Sequence, residues 1–200
     1  MIDTRRFAAL VFIALGSACL GWYAYQALNR TFFQEQQRAA LDREVHAPPS
    51  NGPASSGADI ASVAPDGVIG QLEIPKVHLS VIVMEGDDDA TLKKAVGHLP
   101  DTPLPWSDGN SAFAGHRDTF FRPLKDVHAG DEIRVTSARG TLVYRVRETR
   151  IVDPSDVSVL AQTAQPALTL VTCYPFYYVG NAPRRYIVTA DRIESSVAPN

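Results

Sequence analysis

Thr169-Leu170-Val171-Thr172-Cys173 reads as a short buried strand that carries a thiol to its end. The segment Arg184-Arg185-Tyr186-Ile187-Val188 reads as a second strand that starts with fixed positive charge. Working outward, the same short β-rich pattern repeats along the chain. Ile69–Ile74, Leu79–Met84, Ser111–Gly115, Glu132–Ser137, Thr141–Val152, Ala167–Thr172 and Arg185–Asp191 are strands by composition and alternation. In Thr141–Val152, Leu142, Tyr144 and Val146 alternate with Arg145 and Arg147, which predicts one buried and one wet face. The alternation loses phase near Glu148, which predicts a bulge or a second strand there. Only brief helices interrupt the pattern, at Asp88–Val96 and Asp156–Leu160. Short strands separated by Gly, Pro and Asp turns predict a mainly β fold, a small closed barrel. Closure would bring the strand ending at Cys173 beside the strand beginning at Arg185.

Cys173, Arg185 and an upstream Gly115-His116-Arg117-Asp118 form a chemically coherent set. Cysteine attacks a carbonyl as the thiolate, so a cation or base must sit near it, and His116 is the natural partner. Attack on an amide creates an oxyanion, which needs donors already aimed at it. Arg185 is permanently charged and presents a rigid fork of donors, suited to that oxyanion or to substrate carbonyls. Each residue also has a plainer reading. A lone cysteine after Leu-Val-Thr can fill a sheet core. His116 can be a hydrogen-bonded strand-end histidine, and the two arginines can be solvated charge. The three plain readings weaken together, because all three residues fall at strand ends, where rigid scaffolds present functional groups.

The run Thr169 to Cys173, the loop Tyr174-Pro175-Phe176-Tyr177-Tyr178-Val179-Gly180 and Arg185-Tyr186-Ile187-Val188 resemble the active-site signature of the sortases. Ala114-Gly115-His116-Arg117-Asp118-Thr119-Phe120-Phe121 resembles the histidine segment of that family, as does Gly97-His98-Leu99-Pro100 before it. The Tyr-Pro-Phe after the cysteine looks most like class D, with class E as neighbour. The resemblance covers roughly Gly67 to Arg192. It implies a sortase-like barrel of about eight strands. It also implies a membrane-anchored cysteine transpeptidase that cleaves a Leu-Pro-x-Thr-Gly type signal between Thr and Gly and passes the acyl group to an amine. By the same resemblance Cys173 is the nucleophile, His116 the general acid/base and Arg185 the oxyanion or substrate stabiliser, with Arg184 the competing arginine. Thr172, Ala114, Tyr174 and His98 would border the substrate. The segment Pro103–Gly109 departs from the pattern, being bulkier and more acidic than a small Gly-rich loop.

The N-terminal region predicts a location. Phe7 to Leu28 carries no charged residue, and Arg5-Arg6 and Arg30 flank it. At about 1.5 Å per residue it reaches about 33 Å, enough for the roughly 30 Å hydrocarbon core of a bilayer. Trp22, Tyr23 and Tyr25 form an aromatic belt at its far end. A cleaved signal peptide ending near Cys19 fits less well, because apolar character continues past it. Arg5-Arg6 on the short side predicts that the following domain faces outward, at the cell membrane on a single span. The organisation is then a 1–6 tail, a 7–28 transmembrane anchor, a 29–66 juxtamembrane helix and linker, a 67–193 catalytic domain and a 194–200 tail. Within the third part, Thr31–Leu41 suggests a helix, and Ala47–Gly57 a flexible spacer that lifts the domain off the membrane.

Composition removes other classes. The net charge of −3 and the absence of basic runs longer than Lys93-Lys94 and Arg184-Arg185 argue against nucleic acid. Of the two cysteines, Cys19 falls in the anchor, so a disulfide with Cys173 is not expected. No cofactor and no metal are expected: no cysteine pair exists, and His46, His78, His98 and His128 lack ligand spacing. Asp87-Asp88-Asp89 reads as a helix start. The expected partners are secreted or surface proteins bearing a sorting signal, an amine acceptor and the membrane. The competing functions are a thiol hydrolase and an anchored β-domain that binds without catalysis. A papain-like order would need a histidine after Cys173, and none follows it.

Overall fold

In a computed structural model of the chain, residues 4–45 and 67–197 are described. A long helix, α1 (Thr4–Val45), precedes eight strands: β1 (Val68–Ile74), β2 (Leu79–Glu85), β3 (Val96–His98), β4 (Asn110–Ala114), β5 (Glu132–Ser137), β6 (Gly140–Val152), β7 (Ala167–Tyr174) and β8 (Arg184–Val197). A short helix, α2 (Asp89–Lys94), lies between β2 and β3. The strands close into a barrel in the order β1-β2-β3-β4-β7-β8-β6-β5, as the strand pattern predicts. Two neighbour pairs, β2 with β3 and β4 with β7, run parallel, and the other pairs are antiparallel.

Period-two alternation turns one set of side chains inward. Leu72 and Ile74 of β1, Phe113 of β4, Tyr144 of β6, and Leu168 and Leu170 of β7 are wholly buried with Phe121 and Leu124. Each such side chain contributes on the order of 1.5–3 kcal/mol by leaving water. Tyr144 keeps its hydroxyl satisfied by donating to the Pro105 carbonyl at 3.0 Å, and burial pushes its pKa up to about 12. The bulky Pro103–Gly109 segment thus works as packing: Leu104 and Trp106 lie against the core, and Arg139 covers the Trp106 ring at 4.5 Å.

The predicted loss of phase near Glu148 is a register shift between Val146 and Glu148 against β8. Three features differ from the sequence reading. Val96 belongs to β3, because α2 ends at Lys94, and β3 pairs parallel to β2 over only three residues. A 3₁₀ turn at Arg122–Asp126 buries Leu124. Pairing of β8 continues to Gly140↔Val197, into the stretch read as a tail, because the long β6 hairpin arm offers it backbone partners.

The largest difference concerns α1. Its first half is long and apolar enough to cross a membrane, and that stretch is exposed. The helix then continues without a break and docks on the barrel. Gln34 is buried; its Nε2 donates to the Lys94 carbonyl at 2.7 Å, and its Oε1 accepts from the Ile82 amide at 2.8 Å. Arg38 donates to the Ser80 carbonyl, Leu41 is buried, and Phe33 packs on Ile82, Met84 and Ala95. The juxtamembrane segment is therefore a wall of the folded unit. The spacer expected at Ala47–Gly57 lies outside the described residues.

Candidate active site

β7 is the hub of the site because it has a partner on each side. On one side it pairs antiparallel with β8, in a register that sets Val171 opposite Ile187, Thr172 opposite Tyr186, Cys173 opposite Arg185 and Tyr174 opposite Arg184. Directly opposed side chains lie on the same face of a sheet, about 4.5–5.5 Å apart at Cβ. Cys173 and Arg185 therefore share a face, and Arg184 points with Tyr174 to the other. Cys173 is half-buried and not disulfide-bonded. Arg185 is half-buried, and its Nη1 donates to the Ala182 carbonyl at 3.4 Å and the Arg184 carbonyl at 3.2 Å.

On its other side β7 pairs parallel with β4 up to Ala114↔Val171. Two further bonds extend the contact. Gly115 N donates to Val171 O at 3.2 Å, and Thr172 Oγ1 donates to Gly115 O at 2.7 Å. The chain leaves β4 at His116, at the level where β7 reaches Cys173. There it turns: the amides of Thr119 and Phe121 donate back to the His116 carbonyl at 3.4 and 3.0 Å. Gly115 is required by close approach, since a Cβ there would meet the buried Phe121 ring at 2.8 Å.

Two cavities flank these residues. One of about 100 Å³ is walled by Leu99, Val157, Val159, Val171, Arg185 and Ile187. Asp153 and Asp156 also line it. Asp153 accepts from the Ser155 amide at 3.0 Å and its hydroxyl at 2.7 Å, and these bonds hold its carboxyl below the usual carboxylate range. The other, of about 280 Å³, is lined by His116, Asp118, Thr119 and Lys93 together with Gln26 and Arg30 of α1.

Of the residues expected to border substrate, Ala114 is half-buried in β4. Tyr174 is half-buried in a small aromatic cluster, with ring centroids 6.0 Å from Phe176 and 6.3 Å from Tyr186. Thr172 is buried and its hydroxyl is spent on Gly115, so it braces the histidine segment and presents no free group. His98 is not brought to the groove. It is 2 % exposed, with Nδ1 2.9 Å from Glu85 Oε2 and Nε2 3.1 Å from the Pro103 carbonyl, and it ties β3 to the following loop. Arg117 was missed by sequence reasoning. Its Nη2 donates to Tyr178 O and Gly180 O at 2.8 and 3.0 Å, holding the loop after the cysteine. No local pattern marks an arginine whose partners are carbonyls so far along the chain.

Residues 72–193 match the sortase domain, more than half of the chain. The chain belongs to the sortase family. It is 33% identical to sortase D of Bacillus subtilis over 94% of its own length and 99% of that protein's. In structure it resembles a Clostridium perfringens sortase D5 transpeptidase, with TM-score 0.67 at 25% identity over 82% of this chain and 98% of that one. It also resembles Clostridium perfringens sortase C solved with a C-terminal cell wall sorting motif, with TM-score 0.58 at 28% identity over 64% and 71% of the two chains. This sortase is accordingly a cysteine transpeptidase with a candidate membrane-spanning helix at its N-terminal end. Sortases act on proteins that carry a sorting signal.

Proposed function

We propose that this sortase cleaves a Leu-Pro-x-Thr-Gly type signal between Thr and Gly, with Cys173 as nucleophile, His116 as general acid/base and Arg185 as oxyanion stabiliser. The observation that carries the reading is the cross-strand pair Cys173↔Arg185, on a strand whose other neighbour delivers His116. The Cys173 thiolate, with the proton held on His116, attacks the Thr carbonyl carbon, and the carbonyl electrons move onto oxygen beside the Arg185 guanidinium. Collapse breaks the C–N bond, and the departing Gly amine takes a proton from His116. A thioester remains on Cys173. An acceptor amine then attacks it, gives a proton to His116 and releases the Cys173 thiolate with a new amide formed. The apolar wall of Leu99, Val157, Val159 and Ile187 next to Arg185 supports binding of the signal's Leu-Pro part there. The solved complex of the clostridial sortase C with a sorting motif supports the same kind of substrate.

The donors are secreted or surface proteins bearing the signal, held at the cell membrane with the barrel on the outer side. Arg5 before the apolar stretch supports that orientation, since positive charge favours the inner side. Product analysis of the full chain in detergent micelles, with a Leu-Pro-x-Thr-Gly peptide and an added amine, tests the reading. Peptide joined to the amine is the expected product. Cleavage that ends only in hydrolysis at every amine concentration would point to a thiol hydrolase.

A further inference from the structure

The two cavities beside the site share no residue. The apolar one meets Arg185; the polar one meets His116. Transfer has two substrates, and only the acceptor must surrender a proton to His116 as it attacks. The chemistry therefore assigns the acceptor to the cavity that His116 lines.

That cavity has a distinct character. Arg30 and Lys93 bring positive charge, Asp118 brings negative charge, and Gln26 adds an amide. Thr119 adds a hydroxyl oxygen that is buried without a hydrogen-bond partner. Two of these five polar residues, Gln26 and Arg30, come from α1, because docking through Gln34 holds the preceding helical turns against the His116 segment. Arg30 also covers the Phe120 ring at 5.8 Å, which fixes its stem at the rim. A neutral or purely cationic amine would leave the two cations Arg30 and Lys93 with Asp118 as the one opposite charge among the described residues lining the cavity. An amine with a carboxylate close by satisfies both signs.

We propose that this cavity seats the acceptor amine and that Arg30, supplied by the anchor helix, with Lys93 selects acceptors carrying a carboxylate next to the reacting amine. Asp118 attracts the ammonium as it arrives, and Arg30 and Lys93 take the carboxylate. The inference rests on His116 serving as the base for transfer. It makes the anchor helix part of the substrate site, so the same helix that holds the enzyme at the membrane also decides which amine is joined.

The test begins from the acyl-enzyme, so that only the second half-reaction is read. Full chain in detergent micelles is acylated with a Leu-Pro-x-Thr-Gly peptide, and single-turnover discharge is measured with glycine and with glycinamide. The ratio of the two rate constants is compared between wild type, Arg30→Ala, Lys93→Ala and Arg30→Lys, which cancels the intrinsic difference between the amines. One lost charge-assisted contact predicts a fall of about tenfold in the ratio for Arg30→Ala and for Lys93→Ala. Arg30→Lys retains most of it, and in wild type the ratio shrinks as salt is raised. A merely structural role for Arg30 slows both amines alike and leaves the ratio unchanged, and an unchanged ratio in both alanine variants overturns the proposal. A wild type that never forms the acyl-enzyme overturns the parent reading instead, and the acceptor assignment with it.

Discussion

Cys173 and Arg185 stand directly opposite each other on antiparallel β7 and β8, while Arg184 pairs with Tyr174 on the other face. The register separates two adjacent arginines that are chemically identical. Arg185→Ala should lower kcat by about 10²–10³, the usual loss when an oxyanion donor is removed. Arg185→Lys should recover only part of it, because a point charge lacks the planar fork. Arg184→Ala should stay within a few-fold of wild type. Steady-state kinetics on a sorting peptide checks all three.

Thr172 links the cysteine strand to the histidine segment through the 2.7 Å bond to Gly115 O. Thr172→Val keeps the shape and removes the donor, leaving a buried carbonyl short of a partner. We expect a loss of about 1–3 kcal/mol in stability. We also expect a fall in kcat larger than any change in KM, since His116 and not the peptide groove is disturbed. Denaturant melts alongside kinetics read both effects.

Gly115→Ala should damage the same junction by overpacking. The added Cβ would sit 2.8 Å from the ring of Phe121, a wholly buried residue. Forcing such a contact costs about 1–3 kcal/mol, and the strain falls on the chain that carries His116. A thermal melt and a peptide-cleavage assay should both move; a variant as stable and as active as wild type would refute the packing described.

Gln34 fastens α1 to the barrel with two hydrogen bonds from one buried amide, one to Lys94 O and one from Ile82 N. Gln34→Ala leaves both backbone groups unpaired. Hydrogen exchange at the Ile82 amide should accelerate by about ten- to a hundredfold, matching about 1.4–2.8 kcal/mol of lost local protection. An unchanged exchange rate would mean that the helix is not held there.

Asp88 caps α2, accepting from the amides of Ala90 and Thr91 and from the Thr91 hydroxyl at 2.8 Å. The Thr91 hydroxyl and then the backbone donors hold its carboxyl below the ordinary value of 3.8. Because the folded-state value is the lower one, the cap stabilises fully above about pH 4, and that stabilisation fades as pH falls through the folded value. Thr91→Val should raise the Asp88 value back toward 3.8, as followed by its carboxyl carbon in an NMR titration.

Much of this architecture is legible in local pattern. The run Thr169 to Cys173 and the start at Arg185 read as strands, and closure makes them neighbours. The phase slip at Glu148 is visible because β alternation is a period-two signal that one extra residue inverts. What resists reading depends on distant partners. β3 is only three residues long, too short for a period to register, and its pairing to β2 is set by the barrel. His98 sits in a motif-like Gly-His-Leu-Pro context, yet the fold buries it against Glu85 and Pro103. Gln34 looks like one polar residue in a glutamine-rich surface helix; its burial follows from where the helix docks. For the same reason the sequence places Gln26 in the membrane anchor and Arg30 as its flanking charge, with no sign that both border the His116 cavity.

The measurement that tests the central claim most directly is the intact mass of the full chain after exposure to a Leu-Pro-x-Thr-Gly peptide, followed by peptide mapping. The account predicts one added Leu-Pro-x-Thr acyl group on Cys173. It should be absent in Cys173→Ala, form far more slowly in His116→Gln, and be discharged when an amine is supplied. Peptide cleavage that persists in Cys173→Ala, or an acyl group mapped to Cys19 or any other residue, would contradict it.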